Sequence, residues 1–381
     1  MKKVVMFAGP YQEIPPLKGA AVETWIYEVS KRIIKYQMHI ISINFGNYSE
    51  NKKYDNGIFF HRIYFSNFYK RVCQKILGID PLSYNRRIFK IIKKISPDIV
   101  HIHNYYLSHE VVKWIKNRMP HVKIIFHAHN EIDVFFKKGF PNIDELIGCS
   151  NYITQKYKSI KCTNKYKTIY NGVDIEKFSS IKENYKKNIN SLFKKNASDI
   201  NICYFGRISE EKGVDKFLLL AKELKNYPSY NFHLFGEISK KGDRFLYYKK
   251  LQNIARKENL NIKFHDYISP SKIHLAYHFA DVVVIPSKFE EPFGMVALEA
   301  LASKKPIIAS KKGGLKEFLN EKNSFLIEDY KNFEIEAKKI LLQYPFDKEI
   351  ILNGYKTALQ FDWTRIALET EKEYDWLVEN S

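Results

Sequence analysis

Glu291-Pro-Phe-Gly-Met-Val-Ala-Leu-Glu299 places two carboxylates eight positions apart, with a glycine-containing turn opening a helix between them. Upstream, Ala280-Asp-Val-Val-Val-Ile-Pro-Ser287 is an apolar run of the length and composition of a fully buried strand. Downstream, Lys305-Pro-Ile-Ile-Ala-Ser-Lys-Lys-Gly-Gly314 reads as a second strand that ends in a diglycine turn. Strand, acidic loop, helix and strand in this order make one repeat of a parallel α/β sheet. Glu291 falls just before the helix N-terminus, where unpaired backbone N–H groups favour anions, and Glu299 falls two turns further on. Such a pair can flank a polyol phosphate.

The same alternation extends over most of the chain. Strands are predicted at Lys3–Phe7, His39–Ile43, Ile58–Phe65, Asp98–His103, Val122–His127, Leu146–Cys149 and Lys167–Tyr170. A second set covers Asn201–Phe205, Asn231–Phe235, Asn261–His265, Asp281–Ile285, Pro306–Ala309 and Ser324–Ile327, with helical patterns between them and two helical stretches at the end. Trp363 and Trp376 are expected to anchor the last helix. The polar segment Asn184–Ser198 reads as the linker between the two sets. With 381 residues, two doubly wound domains are expected, and a ligand held between them.

Four scattered cysteines with no C-x-x-C spacing, and a first strand that starts almost at residue 1, fit a reducing cytoplasm. No apolar run approaches the roughly 20 residues of a membrane span. The formal charge of +20 calls for phosphate-rich partners. Eleven Lys and Arg stand against two Asp between Lys52 and Lys94, interleaved with aromatic residues such as Phe60, Tyr64, Phe65 and Phe89. A basic surface with exposed rings suits an anionic bilayer, and Lys70, Arg71, Arg86 and Arg87 are the candidate contacts. No RNA-binding signature accompanies it, so nucleic acid is not an expected partner.

Three further segments carry chemistry. Tyr204-Phe-Gly-Arg-Ile-Ser-Glu-Glu-Lys-Gly213 follows a buried strand and opens a helix, so Gly206, Arg207 and Lys212 stand at a strand's carboxyl end, where a diphosphate can be gripped by a guanidinium fork and an ammonium. Lys18-Gly-Ala-Ala-Val-Glu-Thr-Trp25 starts the first helix, and Gly19 and Ala20 can bring backbone N–H groups close to a phosphate. His127-Ala-His-Asn-Glu131 puts His127 and His129 on one side of a strand end. Metal binding, a structural role and substrate contact are all open to that pair, although no third ligand lies at a convincing spacing. The absence of an Asp-x-Asp motif gives no support to a metal-bridged diphosphate, and no metal or other cofactor is expected.

Taken together these motifs resemble the family 4 glycosyltransferases, retaining enzymes of the GT-B fold, over essentially the whole chain. The resemblance implies two Rossmann-like domains facing a central cleft, 1–175 for the acceptor and 176–362 for the nucleotide sugar, with a helix at 363–381 returning to the first domain. It assigns Glu291 to the donor sugar, Glu299 to the ribose, and Arg207 and Lys212 to the diphosphate. Gly19, Ala20, Gly206, Tyr267, Ile268, Phe293, Gly294 and Met295 complete the donor site, and His129 orients the sugar. A narrower similarity, in Pro16–Tyr27, Asp80-Pro-Leu82 and Ser310–Gly314, is to lipopolysaccharide core N-acetylglucosaminyltransferases. It implies UDP-N-acetylglucosamine as donor and a phosphorylated core sugar at the cytoplasmic membrane face as acceptor. A glucosyl or galactosyl donor, a UDP-sugar epimerase and a basic binding module are the rival readings. The family's usual Gly after the motif helix is replaced by Lys304, which is expected to adopt positive φ at modest cost.

Overall fold

The computed structural model describes residues 1–49, 52–66, 82–132, 142–181, 193, 198–236 and 241–380. The chain divides into two compact units, Met1–Gly172 with Trp363–Ser381, and Val173–Asp362.

The first unit is built on strands β1 (Lys3–Ala8), β2 (Gln37–Asn44), β3 (Lys52–Asp55), β4 (Ile58–Tyr64), β5 (Ile99–His103), β6 (Lys123–Ala128), β7 (Glu145–Gly148) and β8 (Tyr166–Thr168). Their order in the sheet is β3-β4-β2-β1-β5-β6-β7-β8, parallel except where β3 meets β4. β5 and β7 are buried along their whole length, as strands covered on both faces must be. The β3 edge strand is absent from the sequence reading because Lys-Lys-Tyr-Asp has no apolar run. It forms because Asn56 and Gly57 both take positive φ, giving a two-residue hairpin loop that pairs Asp55 with Ile58.

The second unit has β9 (Ile200–Phe205), β10 (Tyr230–Phe235), β11 (Ile262–His265), β12 (Val282–Ile285), β13 (Ile307–Ser310) and β14 (Phe325–Ile327), all parallel, in the order β11-β10-β9-β12-β13-β14. The chain direction across this sheet reverses between β9 and β12, so the loops after these two neighbouring strands flank the crevice where an open α/β sheet binds its ligand. In the first unit the corresponding neighbours are β1 and β5.

Two expectations change. The expected linker Asn184–Ser198 lies largely outside the described residues, and the units already part before it, since the helix Ile175–Ser179 and Phe193, whose ring packs on Phe235, His265 and Phe279, belong to the second. The chain passes from one unit to the other at Gly172–Val173 and again at Asp362–Trp363. Leu315–Asn320 is not an α-helix, because the diglycine bends the chain into a 3₁₀ turn over Gly313–Glu317.

The last helix, Trp363–Glu379, returns to the first unit. Trp363, Ile366, Ala367, Tyr374 and Leu377 repeat at helical spacing and enter the same core as Trp25, Ile26 and Val29 of the first helix. Trp363 is an anchor, packed so closely on Gly172 that a Cβ there would stand 2.5 Å from the indole. Trp376 is not: it is exposed, with the Lys165 ammonium 3.1 Å from its ring centre. Lys304 does take φ +57°, and its ammonium lies over the Tyr355 ring. Trp363→Ala empties a buried site of this size and is expected to cost about 3–5 kcal/mol in urea unfolding. A loss below about 1 kcal/mol would mean that the helix contributes little to the unit.

Candidate functional site

The carboxyl ends of β9 and β12 carry the motif residues of the second unit. After β9 the chain turns at Gly206, with φ +131°, and the Tyr204 hydroxyl donates to the Arg207 carbonyl at 2.7 Å. Arg207 itself is exposed, and its guanidinium forms no ion pair with a carboxylate among the described residues. A 3₁₀ turn, Glu210–Lys212, follows, and Gly213 ends it in the left-handed region at φ +66°. Only glycine fits there, because an added Cβ would stand 1.7 Å from the Pro286 carbonyl oxygen. The two loops are thereby locked together, and the Lys288 amide donates to the Glu211 carbonyl at 2.9 Å.

This contact brings Lys212 to Glu291. The ammonium donates to both carboxylate oxygens, at 2.8 and 2.9 Å, and the Ser287 hydroxyl donates to the same group. Glu291 is buried. Its backbone is held from the other side, where the Gly314 amide donates to its carbonyl at 2.7 Å and a Cβ on Gly313 would come within 2.2 Å of that oxygen. The diglycine turn after β13 therefore shapes the acidic loop after β12.

Gly294, at φ +107°, opens the helix Met295–Ala302, and the Phe293 ring is turned into the core against Phe318 and Phe361, which leaves Gly294 and the half-buried Met295 at the helix start. On that helix Glu299 accepts from the Tyr277 hydroxyl at 2.7 Å. Burial pushes its carboxyl up to about 7, opposed by the Tyr277 hydrogen bond and the charge of Lys177. A carboxyl poised near neutrality can accept from paired hydroxyls when ionised. Tyr267 and Ile268 lie in the loop after β11, at the same end of the sheet. Tyr277 is absent from the sequence reading, and Ser287, Gly213 and Gly313 stand in its motifs without a role in the site. Their partners Glu299, Glu291 and Pro286 are set by the packing of neighbouring loops and helices, which no single motif displays.

The remaining predicted residues lie in the first unit. Gly19 is exposed with open space around its Cα, and Ala20 caps the helix Ala21–Ser30 in extended backbone. His129 is buried. Its ring lies 3.2 Å from His103, nitrogen to nitrogen, its amide donates to Asn104, and desolvation pushes its pKa down to about 3. His127 is wholly enclosed rather than facing outward, and pairing of β5 with β6 sets it beside His101 and His103, the neighbours that spacing along one strand could not show.

The basic segment is less exposed than its composition suggests. Phe60, Phe65, Tyr84 and Phe89 are core residues, Arg62 is buried against the Tyr48 and Phe60 rings, and Arg87 is engaged with the Phe65 ring and the carbonyls of Leu82 and Tyr64. Arg86 is exposed, together with Lys90, Lys93 and Lys94 on the same helix, while Lys70 and Arg71 fall outside the described residues. No helix among the described residues is long and apolar enough to cross a membrane.

Comparison with known proteins agrees with this geometry. Residues 22–177 match the model of "Glycosyltransferase Family 4" and residues 186–357 that of "Glycosyl transferases group 1". The chain is 34% identical to lipopolysaccharide 1,2-N-acetylglucosaminetransferase of Salmonella typhimurium, over 84% of this chain and 83% of that protein. It is 25% identical to spore coat protein SA of Bacillus subtilis over 96% and 97% of the two chains. Among solved structures, sucrose-phosphate synthase from Thermosynechococcus elongatus superposes with a TM-score of 0.80 at 17% identity, covering 100% of both chains. HepE from Anabaena, solved with UDP and glucose, gives 0.74 at 16% identity, covering 98% of this chain and 100% of that one. Two parallel α/β units, the paired loops at their strand ends and the 34% identical relative lead to one conclusion: the chain belongs to the family 4 glycosyltransferases and has the GT-B fold.

Proposed function

We propose that the protein is a retaining hexosyltransferase that moves N-acetylglucosamine from UDP-N-acetylglucosamine to a lipopolysaccharide core sugar at the cytoplasmic membrane face. The observation that carries the nucleotide part of this reading is the Lys212–Glu291 pair beside the exposed Arg207, at the point where the second sheet reverses. The sugar and acceptor rest on the Salmonella relative and its printed activity.

Glu291 takes two of the three ammonium hydrogens of Lys212, which leaves one for a phosphate oxygen. Arg207 can grip the same diphosphate bidentately, so the charge that develops as UDP leaves meets two fixed cations. The transfer needs no protein nucleophile in this reading. The departing phosphate takes the acceptor's proton on the face it leaves, and Glu299 holds the ribose. His129, deprotonated at neutral pH, orients the sugar rather than serving as base. On the first unit, the stacked rings of Tyr11 and Tyr106 and the side chain of Leu107 are exposed beside the ends of β1 and β5, and such a surface suits an acceptor sugar.

Lys212→Ala is expected to lower turnover by roughly 10² or more with UDP-N-acetylglucosamine and a truncated core acceptor. Because that change also leaves Glu291 buried without its partner, Arg207→Ala, an exposed position, serves as the second variant. Near-normal turnover in both would overturn the assignment. Replacing Arg86, Lys90, Lys93 and Lys94 by Gln is expected to weaken binding to anionic vesicles by roughly 1 kcal/mol per residue, with UDP affinity unchanged. Unaltered vesicle binding would remove the membrane from this reading.

A further inference from the structure

We propose that His101, His103 and His127 form a binding site for a divalent first-row metal ion, zinc by ligand chemistry, inside the first unit. Three observations carry this. The three rings are fully enclosed, and one ring nitrogen from each lies within 4.8 Å of the other two. His101 and His103 alternate along β5, and His127 stands directly beside His103 on β6, so strand pairing alone directs all three to one face of the sheet.

The unsatisfied atoms point the same way. Among the described residues His101 Nε2 and His103 Nε2 have no hydrogen-bond partner, and His127 has none of ordinary geometry beyond the nearby Ile169 backbone, although buried polar atoms are normally paired. The opposite nitrogens of the first two rings are engaged: His101 Nδ1 lies 2.6 Å from the Tyr374 hydroxyl and His103 Nδ1 lies 3.2 Å from His129 Nε2. A metal-ligating histidine shows this arrangement, with one nitrogen fixed by a second group and the other left for the ion. Burial lowers the pKa of all three rings well below the usual value, which favours the neutral form that donates a lone pair.

Zinc binds imidazole at about 2.0–2.1 Å, which sets ligand nitrogens about 3.3 Å apart in a tetrahedron. The rings, now 7° from parallel for His101 and His127 and 29° for His101 and His103, must therefore close in by at most about 1.5 Å and turn about χ so that their lone pairs converge. Three neutral imidazoles leave the ion's charge uncompensated, so a water or hydroxide in the fourth position completes the set. Trp25 covers the cluster, its ring centre 4.6 Å from that of His127 and 4.9 Å from that of His103. The ion would thus join β5, β6 and, through Tyr374, the last helix.

The test uses full-length protein without a polyhistidine tag, purified from zinc-supplemented cells, with metal content measured by plasma mass spectrometry. About one zinc per chain is expected in the parent protein and in His121→Gln, an exposed control, and less than about a tenth of that in His127→Gln. Tyr374→Phe keeps the ring packing and removes only the hydroxyl on His101. It is expected to weaken zinc binding about 10–100-fold, read by competition with a chromophoric chelator. Should His127→Gln not fold, cobalt in the parent protein decides, because four-coordinate cobalt held by three nitrogens and one oxygen gives an intense visible band. Metal-free parent protein without that band, or zinc retained unchanged in both folded variants, would overturn the site.

Discussion

The contact between Gly213 and the Pro286 carbonyl is the constraint on which the second unit's chemistry depends. It presses the loop after β9 against the loop after β12, and every functional pairing nearby follows from it. With the two loops in register, the Lys212 ammonium reaches Glu291, Ser287 closes on the same carboxylate, and the diglycine turn after β13 fixes the Glu291 backbone. A buried carboxylate is costly unless it is paired and hydrogen-bonded. Here the partner that stabilises it, Lys212, is also the cation proposed for the donor diphosphate, so in that proposal local stability and anion recognition share one set of contacts.

The first unit depends on a different arrangement. Its core is completed by a helix from the far end of the chain, through Trp363, Ile366 and Tyr374. Lys165 links that helix to the sheet, bridging Glu145 of β7 and Glu373. Burial, and next the charge of Glu373, push Glu145 up to about 9. Tyr374 extends the same helix to the histidine cluster.

Much of this was legible in the sequence because it is written in local patterns. Parallel strands buried on both faces appear as continuous apolar runs, and the ends of those runs locate Arg207, Lys212 and Glu291 at strand termini. What local patterns do not contain is pairing across distance. Lys212 beside Glu291, Tyr277 beside Glu299, and His101 and His103 beside His127 all join segments far apart in the chain. Composition misled in one place, since among the described residues Phe60, Phe65, Tyr84 and Phe89 are core and Arg62 is buried with them. The Asn56-Gly57 hairpin was a readable signal, and the charged strand in front of it concealed it.

In the proposed transfer Arg207 and Lys212 seat the donor diphosphate, with the Glu299 carboxylate on the ribose. Co-crystallisation with UDP tests this most directly. The account predicts both phosphates within hydrogen-bond distance of the Arg207 guanidinium and the Lys212 ammonium, and the ribose hydroxyls on Glu299. UDP bound with its phosphates away from those two cations would contradict it.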